Sequence, residues 1–224
     1  MNTRTWFLTG TDTEIGKTHA ACQLLVRACT SGWRAVGVKA VAAGVDETGF
    51  NEDVVALAEA SSVDLPAAVR NPYCFKAPIS PHLAAAQEGV KIDLGKIVSA
   101  VAKARTYADR VLVEGAGGFL APLTPTHTMA DLAVALRAPI ILVVGMRLGC
   151  FNHALLTVEA IERRQLTLSG WIANCLDPAM ASLDGNLSTL RQAIPAPCLG
   201  VIPYGSRRDE IDWVRWPDEV APKR

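Results

Sequence analysis

The chain has 224 residues, a length that suits a single α/β domain. Half of these residues are hydrophobic, and Lys+Arg and Asp+Glu both number 22, so the formal net charge is zero. The balance argues against a global basic field for nucleic acid or a membrane surface, and the apolar half is enough for a sizeable core.

Neither a targeting segment nor a membrane span is expected. The apolar stretch near the start is too short for a signal peptide, and the longest apolar run, residues 140–144, is too short to cross a bilayer. Six cysteines are scattered without a CxxC pair, which argues against zinc ligation and against a disulfide framework. We therefore expect a cytoplasmic protein with reduced thiols.

Strands and helices are predicted to alternate along the chain. Predicted strands cover residues 5–9, 34–41, 110–114, 139–144, 168–174 and 198–202. Predicted helices cover residues 19–29, 51–61, 94–108, 129–136, 151–164 and 182–194, with a shorter one from Pro81 to about Glu88. Residues 42–49 are predicted to be a loop, and residues 65–81, which carry four prolines, to be mostly irregular.

This alternation predicts one α/β domain over residues 1–224, with a mostly parallel, doubly wound sheet and helices on both faces. The last stretch, residues 206–224, is polar and contains Trp213 and Trp216. We expect it to form a loosely packed C-terminal tail.

A phosphate-binding loop is predicted at residues 10–18, which read GTDTEIGKT between the first strand and the first helix. Backbone N–H groups of such a turn point at phosphate oxygens, and Gly16 allows close approach. Lys17 is then placed to reach the β- and γ-phosphates, and the Thr18 hydroxyl to bind Mg²⁺. The gap between the glycines is one residue longer than in the usual pattern. A strand-to-helix turn that merely contains Gly-Lys-Thr is the less favoured alternative.

Ligands of parallel sheets bind beyond the carboxyl ends of the strands, so the residues there are candidates for a site. Lys39 lies in an apolar strand and is either an edge lysine in solvent or a second cation near the phosphates. Glu114 can reach a metal held by Thr18. Asp53 can join that metal or cap its helix, and Asn174 can read a base edge or cap a turn.

Five stretches occur together in one order along the chain. They are GTDTEIGKT at Gly10, NPYCFKAPISPH at Asn71, VLVEGAGGFLAPL at Val111, ILVVGMRLGCFNHALLT at Ile141 and GWIAN at Gly170. In this order they resemble the ATP-dependent dethiobiotin synthetases, a family with a P-loop NTPase-like fold. The longer gap in the phosphate loop is that family's own form of the motif, and the resemblance extends to about Tyr204.

The resemblance implies a ligase of biotin biosynthesis. One amine of 7,8-diaminononanoate forms a carbamate with CO₂, ATP phosphorylates the carbamate, and the second amine closes the ring and expels phosphate. The resemblance also implies Mg²⁺ bound with ATP and a homodimer with composite active sites. The zero net charge is the reason for expecting no nucleic-acid or membrane partner.

The resemblance assigns roles residue by residue. Catalytic roles around the phosphates and the carbamate fall to Thr13, Lys17 and Lys39, and Mg²⁺ binding to Thr18, Asp53 and Glu114. The implied ATP-binding residues are Thr13, Glu14, Ile15, Gly16, Lys17, Thr18, Asp53, Glu114, Gly115, Ala116, Gly117, Asn174, Cys175, Pro203, Tyr204 and Gly205. The implied substrate-binding residues are Ala43 and, from the partner subunit, Leu148, Gly149, Cys150 and Asn152.

One stretch departs from the family pattern. The second strand usually ends in KPVxSG there, whereas this chain has Lys39, Ala40, Val41, Ala42, Ala43 and Gly44. A substrate-binding hydroxyl is therefore absent at Ala43, which bears on substrate affinity more than on reaction class.

Three alternatives stay open. The first is a nucleotide-switched regulatory ATPase of the partitioning or septum-placement type, whose signature lysine would stand where this chain has Asp12. The second is a sister ligase or amidotransferase, which usually carries an additional glutaminase domain. The third is a catalytically dead relative, against which the retention of Lys17, Lys39 and Glu114 argues.

Overall fold

The computed structural model describes residues 4–221 and is built around a six-stranded sheet. The strands are β1 (Arg4–Gly10), β2 (Ala35–Lys39), β3 (Ala42–Ala43), β4 (Cys74–Phe75), β5 (Arg110–Gly118), β6 (Ile140–Met146), β7 (Leu168–Cys175) and β8 (Cys198–Ile202). The order in the main sheet is β2-β5-β1-β6-β7-β8, and its strands pair in parallel. The predicted doubly wound fold is thus confirmed.

The helices connect these strands across both faces of the sheet. They are α1 (Lys17–Thr30), α2 (Glu52–Ala60), α3 (Ala67–Arg70), α4 (Pro81–Gln87), α5 (Leu94–Ala104), α6 (Met129–Leu136), α7 (Cys150–Arg163) and α8 (Leu183–Ala193). Helix α5 ends at Ala104, four residues before the predicted end at residue 108. The backbone N–H groups of Thr106 and Tyr107 donate to carbonyls only three residues earlier, so the chain forms tighter turns there. Among residues 4–221, no helix has the length and apolar character needed to cross a bilayer.

Side chains of the central strands alternate between two core layers. Trp6 and Leu8 belong to the layer that contains α1 and α2, whereas Phe7 belongs to the layer that contains α5 and α6. A strand buried on both faces is typical of parallel sheets covered by helices. The carboxyl ends of the strands therefore meet at one edge, where the candidate residues lie.

Two regions predicted as irregular form a small second sheet. Ala42 donates its N–H to the Tyr73 carbonyl (2.9 Å), and Gly44 donates to the Phe75 carbonyl (3.0 Å), so that β3 and β4 pair in parallel. The loop prediction for residues 42–49 is wrong at these positions, because strands of two residues are too short to show alternation. The strand at residue 110 also continues past Glu114, since Gly118 pairs with Gly10 of β1.

The C-terminal tail is packed rather than loose over much of its length. Trp216 is fully buried, its Nε1 donates to the Leu24 carbonyl of α1 (2.8 Å), and its ring lies 4.8 Å from that of Trp6. Asp218 pairs with Arg4 and Arg110. The predicted loose tail is thus wrong for residues 214–219, and residues 222–224 lie outside the described part.

Candidate active site

The loop of residues 10–18 curves around a backbone concavity between β1 and α1. Glu14 and Gly16 have left-handed backbone angles, with φ of 55° and 80°, and such reversals direct successive N–H groups into one space. A Cβ on Gly16 would lie 2.1 Å from Asn174 Nδ2, so no side chain fits there. The geometry is that of a phosphate cradle at a helix N-terminus.

Asn174 links the phosphate loop to the sheet by a hydrogen bond. Its Nδ2 donates to the Ile15 carbonyl at 2.8 Å, and its side chain is buried at the end of β7. This hydrogen bond is neither the base contact nor the turn cap that the sequence suggested. Cys175 follows it in β7, and residues 203–205 follow the neighbouring strand β8, with Tyr204 59% exposed. The predicted base-binding role of this group stays a prediction.

Four residues from separate elements form the ion network of the site: Thr18, Lys39, Asp53 and Glu114. Lys39 Nζ donates to Asp53 (2.5 Å) and to Glu114 (2.6 Å). Thr18 Oγ1 lies 2.7 Å from an oxygen of each of the same two carboxylates, and its single hydrogen is donated to one of them at a time. The structure therefore brings the three predicted metal ligands and one predicted catalytic lysine into direct contact.

This network decides two alternatives that the sequence left open. β2 is an edge strand of the main sheet, yet Lys39 is only 4% exposed, so the reading as a solvent-facing edge lysine is wrong. The N-cap of α2 is Asn51, whose side chain accepts from the Val54 N–H (3.2 Å). Asp53 is therefore not the capping residue, and its carboxylate serves the network.

The pKa values of the two lysines of the site, Lys39 and Lys17, are shifted in opposite directions. Burial by itself lowers the pKa of Lys39, but attraction by Glu114 and Asp53 outweighs it and leaves that pKa above its usual value. Lys17 donates its Nζ to the Asp12 carbonyl (2.8 Å). Burial, reinforced by repulsion from Lys39, lowers the pKa of Lys17 to about 8. The site thus holds one lysine whose charge is stabilised and one whose pKa lies at about 8.

The network fits Mg²⁺. Its donors are a hydroxyl and two carboxylates, and Glu114 Oε2 is buried without a hydrogen-bond partner among the described residues. Residues 4–221 contain no cluster of three or more His, Cys, Asp or Glu side chains suited to a metal. Mg²⁺ does not require one, because it is usually held by one or two carboxylates together with phosphate oxygens and water.

A cavity of about 640 Å³ opens beside the network and the phosphate loop. Predicted residues that line it are Thr13, Glu14, Gly16, Lys17, Thr18, Lys39, Ala43, Asp53, Glu114, Ala116 and Gly117. Lining residues that the sequence did not assign are His19, Val41, Asn51, Glu52, Pro78, Ile79, Ser80, Pro81, Ala121, Pro122 and Arg208. Four of these residues, Pro78 to Pro81, belong to the family-like stretch that begins at Asn71, so the sequence could have indicated them. Arg208 lies in the tail that the sequence predicts to be loosely packed.

Some predicted residues lie away from the cavity. The side chain of Ile15 is buried beneath the phosphate loop, and Gly115 packs against Phe7. Residues 148–152 lie at the start of α7, with Leu148 98% exposed and Cys150 buried, and none of them lines the cavity of this chain. The resemblance assigns that segment to the site of a second subunit.

Comparison with known proteins identifies a matching family model and similar individual proteins. A family model described as an AAA domain matches residues 4–210. The ATP-dependent dethiobiotin synthetase BioD of Aromatoleum aromaticum is 55% identical over 209 residues, covering 92% of this chain and 93% of the relative. The enzyme of the same name from Ralstonia nicotianae is 54% identical over 208 residues, covering 91% and 90%.

Solved structures show a more distant likeness. MinD, a cell division protein of Aquifex aeolicus, matches with a TM-score of 0.53 at 15% identity over 89% of this chain and 82% of its own. A ParA family ATPase from Chlorobium tepidum matches with a TM-score of 0.54 at 12% identity over 91% and 85%. At such identities the likeness extends to the P-loop NTPase-like fold alone.

Proposed function

The chain belongs to the family of ATP-dependent dethiobiotin synthetases, and on that premise we propose that it closes the ureido ring of dethiobiotin from 7,8-diaminononanoate, CO₂ and ATP. The observation that carries the proposal is the buried ion network beside the phosphate loop. Binding of a nucleotide alone does not require a buried lysine from a second strand, whereas transfer of a phosphoryl group gains from fixed cations where charge develops.

The phosphate loop supplies the nucleotide site. Backbone N–H groups from Thr13 to Thr18 cradle the phosphates, and Lys17 reaches the β- and γ-phosphates from the start of α1. Thr18, Asp53 and Glu114 would hold Mg²⁺, which supplies charge neutralisation to the phosphate oxygens when bound. Residues 174–175 and 203–205, at the ends of β7 and β8, are proposed to frame the base.

The chemistry needs two displacements. One amine adds to CO₂ and loses a proton to give a carbamate, whose oxygen attacks the γ-phosphorus as the bond to the ADP oxygen breaks. The second amine then attacks the carbamate carbon, the bond to the phosphate oxygen breaks, and a proton leaves the nitrogen. Lys39 and Lys17 stabilise charge on the transferring group. Ala43 lines the cavity, and its methyl side chain offers the substrate no hydrogen bond.

The test is product formation. The protein is incubated with 7,8-diaminononanoate, bicarbonate and MgATP, and dethiobiotin is identified by mass with ADP and phosphate in equal amounts. A parallel reaction without the diamine measures ATP hydrolysis alone. Equal ATP turnover in both reactions without dethiobiotin would overturn the proposal in favour of a regulatory ATPase.

A homodimer with shared sites is part of the proposal. It is supported by the exposed apolar side chains around the start of α7, with Leu148 98%, Leu155 42% and Leu156 57% exposed. We expect Lys39→Ala and Asn152→Ala proteins to be inactive alone. After unfolding and refolding in equal mixture, about one quarter of wild-type activity should return, because half of the dimers regain one intact site. No recovery, or an active monomer in sedimentation, would contradict this.

The low pKa of Lys17 predicts a pH dependence of nucleotide binding. The free protein loses the Lys17 charge above about pH 8, whereas bound phosphates favour the protonated lysine. The affinity for ATP should therefore fall about tenfold per pH unit above that point, with uptake of a proton on binding. Calorimetry in two buffers of different ionisation enthalpy, without the diamine, measures the uptake.

A matched variant isolates this lysine. Lys17→Arg keeps its charge throughout the range, so its nucleotide affinity, although weaker, should not vary with pH between about 8 and 10. The same proton uptake in this variant would show that another group titrates.

A further inference from the structure

The tail segment that follows β8 is fastened to the helix of the phosphate loop. Ser206 Oγ lies 3.1 Å from His19 Nε2, in the first turn of α1. One turn later, Gln23 Nε2 donates to the Arg207 carbonyl at 2.8 Å. These contacts bring the next residue, Arg208, to the wall of the cavity that also contains Lys17 and Thr18.

Arg208 differs from its neighbours in having no ionic partner. Arg207 pairs with Asp209, and Arg147 pairs with Asp12 at the phosphate loop. Glu210, two residues after Arg208, accepts a hydrogen bond from Trp213 Nε1 at 2.9 Å. Within residues 4–221, no hydrogen bond or ion pair engages the Arg208 guanidinium. Burial lowers the pKa of His19, the positive charge of Arg208 lowers it further, and Glu210 opposes the shift.

The place of this cation along the nucleotide follows from the two ends of the proposed site. Lys17 serves the β- and γ-phosphates, and residues 203–205, a few positions before Arg208, are proposed to frame the base. Arg208 lines the same cavity as Lys17, so we place it between these two ends, where the α-phosphate lies. An arginine matches a phosphate through two parallel N–H···O bonds.

We propose that Arg208 binds the α-phosphate of the nucleotide, so that the C-terminal tail completes a site that the phosphate loop begins. The proposal rests on the proposed ATP-dependent function. It assigns the tail a role in substrate binding besides its packing through Trp216, and it makes Arg208 a binding residue rather than one that acts on the transferring group.

The experiment compares Arg208→Ala with wild type in binding ATP, ADP and adenosine, measured by competition with a fluorescent ADP analogue. The dissociation constants for ATP and ADP should both rise about tenfold, and that for adenosine should not change. Turnover should show a raised KM for ATP with kcat unchanged. Arg208→Lys should be intermediate, because a lysine keeps the charge but not the paired geometry.

Arg207→Ala is the matched control. Its side chain pairs with Asp209, and the variant retains the backbone carbonyl that accepts from Gln23, so nucleotide affinity should stay at the wild-type value. An equal loss of nucleotide affinity in both arginine variants, or a lowered Tm in Arg208→Ala, would show that the effect comes from disturbed packing of the tail. Either result would overturn the proposal.

Other outcomes also count against it. A loss for ATP but not for ADP would place Arg208 at the γ-phosphate, and a raised KM for the diamine alone would place it at that substrate's carboxylate. Failure of the proposed function looks different: the wild-type protein would bind ADP but form no dethiobiotin, and the nucleotide series would still decide on Arg208.

Discussion

Replacing Lys39 by alanine is expected to lower kcat at saturating substrates by about two to three orders of magnitude. The expectation follows from the loss of one fixed charge aimed at a transition state in a site shielded from water. Lys39 Nζ is held 2.5 Å from Asp53 and 2.6 Å from Glu114, and the residue is 4% exposed, so solvent does not readily replace it. Steady-state assays with ATP and the diamine varied separately give the measurement.

Folding must be separated from chemistry in this variant, because Glu114 would remain buried without its cation. A second variant, Lys39→Met with Glu114→Gln, removes both charges and should restore the Tm without restoring turnover. Lys103→Ala, an exposed lysine of α5, is the control for loss of a charge elsewhere. Near wild-type kcat in a folded Lys39→Ala protein would exclude Lys39 from the reaction.

The features that could be predicted from the sequence depend on neighbouring residues. The phosphate loop is read from nine consecutive residues, and the buried strands are read from unbroken apolar runs. Lys39 shows where local information ends. The apolar strand around Lys39 is equally consistent with an exposed edge lysine and with a lysine of the active site. Its contacts with Asp53 and Glu114, which lie 14 and 75 residues away in the sequence, decide between these two interpretations.

The features that the sequence missed depend on distant partners. Trp216 lies in a polar stretch, and its burial follows from a contact with Leu24, 192 residues earlier. β3 and β4 contain two residues each, too few for a period to appear. Arg208 belongs to no motif and gains its place only because the residues before it attach to α1. In each case tertiary contacts determine the position, and the local sequence pattern gives no indication of it.

Glu114→Gln is expected to weaken the use of Mg²⁺ while leaving the fold intact. Gln has the shape of Glu and keeps one oxygen to accept from Thr18 and Lys39, but it removes the negative charge and the second carboxylate oxygen. Loss of a residue that only supports a metal ligand typically costs about 10–100-fold in affinity. We therefore expect the Mg²⁺ concentration for half-maximal activity to rise at least about tenfold, with a large loss of kcat at fixed Mg²⁺.

A binding measurement separates the metal from the chemistry. Mn²⁺ bound in the presence of ADP is followed by electron paramagnetic resonance, and its affinity should fall in Glu114→Gln by the same factor as the Mg²⁺ requirement rises. Glu52→Gln is the matched control, because Glu52 lines the same cavity but, in the described part of the chain, forms no hydrogen bond or ion pair with Thr18 or Lys39. Because Lys39 would retain only Asp53 as a carboxylate partner, a fall in kcat alone has two explanations. Unchanged metal affinity with reduced kcat would therefore assign Glu114 to holding Lys39 and remove it from the metal site.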